Sequence, residues 1–438
     1  MMRNLLLSVA AVATLQVAAL SGSWRGELDL KVARLPLVMN FADGGCTLDS
    51  PAQGAKGIPA EVVFSSADSV AVDVPAIGAA FRGHVAEHEI RGTFSQGGMQ
   101  LPLVLVPETP VDERRPQTPR APFPYQTRDT VFRSADGTEL AATLAVPENP
   151  VAAVVMVTGS GPQNRDEELF EHKPFAVIAD RLAREGVASL RYDDRGVGAS
   201  KGDFAASDID TFRADASAAL ACAHKAFPAL PVGIIGHSEG GTIALMLAAE
   251  GEPDFVVSLA GMAVTGKETI LDQNRRSLEG AGFTAAQVAD ALRVLDFAFT
   301  AIVNGEPAPD VDAFMAANSI SLPQPLVASL HQGLADAPTA YFRKLLALNP
   351  AEFMGRISCP VLALNGTLDT QVDATRNLTA IAQSVPGSQT RVYPGLNHLL
   401  QPAKTGHFSE YGEIRQTIAE SVLADIAAFC KKYGALSD

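Results

Sequence analysis

Between residues 22 and 107, short apolar runs such as Glu61-Val62-Val63-Phe64 and Leu101-Pro102-Leu103-Val104-Leu105 alternate with breaks rich in Gly, Asp and Ser. That spacing predicts a small all-β sandwich or barrel. From about Arg128 the pattern changes. Apolar runs of strand length lie at 152–158, 187–192, 232–236, 255–260, 361–365 and 390–393. Amphipathic stretches of helical period separate them, for example 175–185, 209–226 and 242–250. Apolar strands joined by helical crossovers predict a mostly parallel sheet covered on both faces. Residues 128–146 add two antiparallel strands at its edge.

Two stretches interrupt this order. Six prolines at 107, 110, 116, 119, 122 and 124 stiffen the chain and block helix and sheet, which predicts a linker over 108–127. The second interruption lies between the strands ending at Ala260 and starting at Val361. It is helix-leaning and far longer than an ordinary βα connection, so it reads as a helical cap at about 262–350. Its most apolar helix spans 291–303. The expected organisation is therefore a small all-β domain at 22–107 and an α/β domain with a cap at 128–438.

The N-terminus starts Met1-Met2-Arg3 and continues in an apolar run to Leu20 that is short for a membrane span. With small residues at Val17-Ala18-Ala19, it predicts a secretory signal peptide over 1–19. A periplasmic or secreted protein follows, with no stable membrane insertion after cleavage.

Composition narrows the function classes. The chain has 438 residues, 47% of them hydrophobic, enough for two folded units. A formal net charge of −15 and the lack of a Lys/Arg cluster interleaved with aromatics argue against nucleic-acid binding. Cys46, Cys222, Cys359 and Cys430 are scattered and form no CxxC pair, so neither a zinc site nor a disulfide scaffold is expected. They read as buried or half-buried thiols, with one disulfide left open. Trp24, the sole tryptophan, reads as a core aromatic of the β domain, and His84 and His88 as surface residues.

The chemistry concentrates in a few loops. Gly236-His237-Ser238-Glu239-Gly240, followed by Gly241, matches G-x-S-x-G between a predicted strand and a predicted helix. A sharp strand-to-helix turn would project the Ser238 hydroxyl above the sheet, with flanking glycines allowing close packing. A serine needs a base, and the base needs an orienting acid, in the chain order Ser, acid, His. Asp369 lies just past the strand at 361–365, and His398 lies in the loop after the last strand. Asp373 is the rival acid but reads as a helix N-cap. His407 is the rival base, His331 falls in the cap, and His237 reads as scaffolding of the turn. An oxyanion needs two donors. The backbone N–H of Glu239 supplies one, and that of Ser160 in Thr158-Gly159-Ser160-Gly161-Pro162 the other, with Gly161 as the alternative. Neither GK[ST] nor GxGxxG occurs, so a nucleotide cradle is not expected, and no cofactor or metal is implied. Arg191-Tyr192-Asp193-Asp194-Arg195-Gly196 reads as an ion-paired loop bracing the serine turn.

The segments DSPAQGAKGIP (49–59), GTFSQGG (92–98), FPYQTRD (123–129), TGSGPQNRDE (158–167), HKPF (172–175), RYDDRGVGAS (191–200) and GHSEGG (236–241) span nearly the whole chain. On these the protein resembles bacterial α/β-hydrolase esterases that carry a signal peptide and a small N-terminal β domain. The resemblance implies carboxylesterase-type cleavage of small-molecule esters, with Ser238, Asp369 and His398 at the matching positions. Asn164 departs from the Asp expected there. The cap and its apolar stretch 291–303 suggest an apolar acyl pocket, which favours small to medium acyl chains. Two alternatives stand beside this: a serine peptidase or amidase using the same triad, and a non-catalytic binding protein on a hydrolase fold.

Overall fold

The computed structural model describes residues 20–434 apart from 31–33, 43–44, 54, 87, 109–113, 307–308 and 337–338. The signal-peptide expectation for 1–19 lies outside the described residues. The chain divides into two compact units, residues 1–110 and 111–438.

The first unit is a closed barrel of eight strands in sequential order. They are β1 (Gly22–Asp29), β2 (Arg34–Ala42), β3 (Gly45–Ser50), β4 (Ala55–Ser65), β5 (Ser69–Val74), β6 (Ala79–Val85), β7 (Ile90–Gln96) and β8 (Met99–Pro107). Alternation drives it: in β5 every second residue, Val70, Val72 and Val74, is buried inside. Pairing of β1 with β8, Trp24 opposite Pro107, closes the ring and removes both sheet edges. Phe81, Met39, Leu48, Ile90 and Leu105 fill the interior. Trp24 sits less deeply than the core position expected of it. It is half-buried at the margin of this core, and its indole N–H donates to the Ser21 carbonyl at 3.1 Å. His84 and His88 are exposed.

The second unit is built on an eight-stranded sheet in the order β16-β15-β14-β13-β11-β12-β10-β9. The strands are β9 (Gln126–Arg133), β10 (Glu139–Val146), β11 (Ala152–Val157), β12 (Val187–Tyr192), β13 (Val232–His237), β14 (Val256–Leu259), β15 (Val361–Gly366) and β16 (Gln389–Tyr393). β11 to β16 pair in parallel, and the β9–β10 hairpin joins β12 antiparallel. Every residue of β11 is buried, as a strand covered on both faces requires. One face packs on α1 (Pro174–Arg184) and α11 (Glu420–Gly434) through Phe175, Leu182, Val422 and Ile426. The other packs on α2 (Ile209–Ala226), α3 (Glu239–Glu250) and α10 (Ala374–Ser384) through Leu220, Leu245 and Ile381.

Between β14 and β15 the chain forms α4 (Gly266–Gly280), α5 (Ala285–Val303), α6 (Val311–Ala317), α7 (Gln324–Asp336), α8 (Ala340–Ala347) and α9 (Ala351–Met354). Capping boxes start α4 (Thr265 with Glu268) and α5 (Thr284 with Gln287). Val294, Leu295, Ala298, Phe299, Leu326 and Leu346 form a separate small core here. This is the expected cap.

The proline-rich stretch is not a bare spacer. Arg115 is buried and donates to the carbonyls of Phe170, Gly412 and Ile414. The side-chain carbonyl of Gln117 accepts from the amides of Thr417 and Ile418. Tyr125 donates to Asp180, and β9 already begins at Gln126, inside the stretch read as linker. Side chains of Arg115, Gln117 and Tyr125 dock this part of the stretch within the second unit.

Candidate active site

In the sheet order β11 lies between β12 and β13, so the loops leaving β11 and β13 diverge at a topological switch point, where open α/β sheets bind ligands. Both loops carry expected site residues.

Ser238 sits between β13 and α3 at φ 52° and ψ −118°. A non-glycine residue there is strained, and the surroundings must hold it. The Ser238 N–H donates to the Leu259 carbonyl at 2.8 Å. The glycines are obligatory for a steric reason. A Cβ on Gly236 would lie 2.0 Å from the Gly240 carbonyl oxygen, and one on Gly240 would lie 2.2 Å from that of Val157. The helix starts at Glu239 rather than at Thr242, so Gly240 and Gly241 lie in its first turn. The Glu239 N–H therefore has no intrahelical partner, and the positive end of the helix dipole lies beside Ser238.

Asp369 and His398 come from the loops after β15 and β16, and both are buried. His398 Nδ1 lies 2.8 Å from Asp369 Oδ2. Asp369 Oδ1 accepts from the amides of Gln371 at 2.7 Å and Val372 at 2.9 Å. The carboxylate is thus fixed from its own loop and faces Nδ1 of the ring, leaving Nε2 on the far side. Gly366 lets the two loops meet, since a Cβ there would lie 2.1 Å from the Leu396 carbonyl oxygen. Asp373 caps α10 through the Arg376 amide and pairs with Arg276. His407 is exposed, and His331 faces Asp312 within the cap.

Ser238, His398, Gly159 and Ser160 line one cavity of about 450 Å³. Among the described residues no hydrogen bond joins Ser238 to the His398 ring. The cap supplies an apolar wall, Ile270 from α4 and Phe342 and Leu345 from α8, beside Met262. The apolar stretch 291–303, expected to form the acyl pocket, instead packs in the cap's own core. Its buried face meets other cap helices.

The second unit has the α/β-hydrolase fold. A family model described as serine aminopeptidase, S33, matches residues 170–303. The esterase EstD of Thermotoga maritima is 26% identical over 283 residues, 64% of this chain and 61% of that protein. The chain thus spans about 61% of the length of that curated relative. An esterase of Pyrococcus furiosus superposes with a TM-score of 0.43 at 15% identity, covering 70% of this chain and 93% of its own. The proline iminopeptidase of Mycobacterium smegmatis gives 0.43 at 16%, covering 71% and 100%.

The loop after β11 is held by Glu167, which the sequence reading did not assign, and by His237, read there as scaffolding of the serine turn. Glu167, at φ 52°, accepts through Oε1 from the Gly159 amide at 2.7 Å. The same oxygen lies 2.8 Å from His237 Nδ1, and His237 Nε2 lies 3.0 Å from the carbonyl oxygen of His398. Burial opposes charge on His237, but the Glu167 carboxylate and the hydrogen bonds outweigh it and raise its pKa. Asn164, the departure from the resembled family, caps the turn: its side-chain oxygen accepts from the amides of Asp166 and Glu168.

The Asp193-Asp194 pair braces this loop rather than the serine turn. Asp193 binds the Arg165 amide and guanidinium, while Asp194 accepts from Thr158 Oγ1 and the Gln163 amide, each at 2.9 Å. Burial pushes Asp194 up to about 7. Glu239 turns its buried carboxyl to the hydroxyl of Tyr341 on α8 and lies 3.5 Å from Ser160 Oγ. Burial raises its pKa. Nothing in the local sequence marks Tyr341 for this contact.

Proposed function

We propose that the protein is a serine hydrolase that cleaves carboxylic esters of small to medium acyl chains. The observation that carries this reading is a strained serine sharing a cavity with a histidine whose far nitrogen is hydrogen-bonded to a buried carboxylate. Ser238 Oγ attacks the ester carbonyl carbon while His398 Nε2 takes its proton. Asp369 holds the ring and stabilises the imidazolium. The amides of Glu239 and Ser160 bind the developing oxyanion. His398 then protonates the departing alkoxide, leaving an acyl group on Ser238. Water, deprotonated by His398, attacks the acyl carbon, and Ser238 leaves with the proton restored. The similarity to a Thermotoga maritima protein named an esterase supports the choice of ester.

Aminopeptidase chemistry is less well provided for. Glu167 is the carboxylate among the described lining residues, and it is engaged by Gly159 and His237, so it does not await a substrate amine. The test is turnover of p-nitrophenyl esters from acetate to octanoate beside a matched anilide series, with Ser238→Ala as control. Ester turnover that disappears in the variant supports the reading, and preferred anilide turnover replaces it with the amidase alternative. We further propose that residues 1–19 are an export signal, which N-terminal sequencing of the mature protein from the periplasm or medium would reveal by a start at Leu20.

A further inference from the structure

Both ring nitrogens of His237 face acceptors. Nδ1 meets Glu167 Oε1 at 2.8 Å, and Nε2 meets a main-chain carbonyl, that of His398, at 3.0 Å. A neutral imidazole has one N–H, so it can donate to one of them only. The carbonyl cannot donate in return. Oε1 already accepts the Gly159 amide at 2.7 Å, and two donors converging on one oxygen suit a carboxylate.

We propose that His237 is a positioning residue held as an imidazolium, stapling the oxyanion loop through Glu167 to the main chain of His398. The proposal rests on the triad reading above, because it gives the staple its purpose. The staple has two ends. One is Gly159, directly before the oxyanion donor Ser160; its Cβ position would lie 3.2 Å from Ser238 Cβ. The other is the backbone that carries the base. The loops after β11 and β16 come from separate strand ends, and this ring, at the end of β13, is where the two are joined. Its ring centroid lies 4.7 Å from that of His398.

The charged surroundings agree. The Glu167 carboxyl meets the ring from the oxyanion loop, and it and Asp369, from the loop after β15, both favour charge on the ring. The His398 side chain lies beside it, and Glu239 follows two residues on in the chain. The raised pKa of His237 has the direction this requires.

The experiment is NMR of protein labelled with ¹⁵N at histidine, with the His237 signals assigned by their loss in His237→Asn. Both ring nitrogens of His237 should show imidazolium shifts at pH 7.5 in the wild type. In Glu167→Gln the ring should become a neutral tautomer at that pH, while kcat falls about 10- to 100-fold as the oxyanion loop loses its register. Stoichiometric labelling by a fluorophosphonate should persist in that variant. A neutral His237 tautomer in the wild type overturns the proposal, as does a Glu167→Gln enzyme with kcat within twofold of wild type. The protonation state is read without turnover, so failure of the triad reading, seen as full activity in Ser238→Ala, is a separate result.

Discussion

Asp369 Oδ2 sits 2.8 Å from His398 Nδ1, while its Oδ1 is tied to the amides of its own loop. The carboxylate therefore chooses the tautomer of the ring. Asp369→Asn keeps the shape but offers an N–H where an acceptor is needed. It should lower kcat by about 10³- to 10⁴-fold with little change in KM. Steady-state kinetics on p-nitrophenyl butyrate check this, and a loss smaller than tenfold would move the orienting role elsewhere.

The elbow glycines give a stability prediction. Gly240→Ala places a Cβ against the Val157 carbonyl and should cost about 2 kcal/mol or more, read as a lower Tm and urea midpoint. Gly333 in α7 has open space at its Cβ position. Gly333→Ala should be neutral or stabilise by about 0.5–1 kcal/mol.

The acyl-chain wall is testable by size. Leu345→Trp fills cavity volume contributed by α8. Relative kcat/KM for hexanoate over acetate esters should drop at least about tenfold, in line with the discrimination a few methylenes provide. An unchanged ratio would mean that acyl chains leave the site by another wall.

Two buried groups make stability depend on pH with opposite signs. His172 bonds Thr417 Oγ1 and the Tyr411 carbonyl, and burial lowers its pKa to about 3 from 6.5. Its contribution is present above 6.5 and is lost as pH falls through about 3. Asp194 is raised by burial to about 7 from 3.8, so its contribution is present below 3.8 and is lost as pH rises through about 7. The slopes oppose each other between 3.8 and 6.5. Urea unfolding across that window should show stability rising less steeply with pH in His172→Asn than in wild type. It should rise more steeply in Asp194→Asn.

Much of this was legible in the sequence, for identifiable reasons. Central strands of the second unit such as β11, β13 and β15 are continuous apolar runs, and the 187–192 run coincides with β12. The 209–226 helix coincides with α2, where Asp208 caps the first turn. The elbow was readable because its glycines and serine follow one another in a single pentapeptide between a strand and a helix, with Gly236 forced by the carbonyl of Gly240 four residues on. What was not legible depends on distant pairs. Glu167 and His237 are 70 residues apart, and Tyr341 and Glu239 are 102 apart. The apolar 291–303 helix misled because hydrophobicity shows that a face is buried without showing against what. The prolines of 108–127 likewise hid Arg115, whose partners lie 55 and 297 residues away.

The identity of the nucleophile is open to a direct chemical reading. Incubation with a fluorophosphonate, followed by peptide mass spectrometry, should find one adduct per chain, on the hydroxyl of Ser238, and none in protein pre-treated with a slow-deacylating ester. An unlabelled Ser238, or an adduct on another residue in enzyme that turns over esters, would contradict the account.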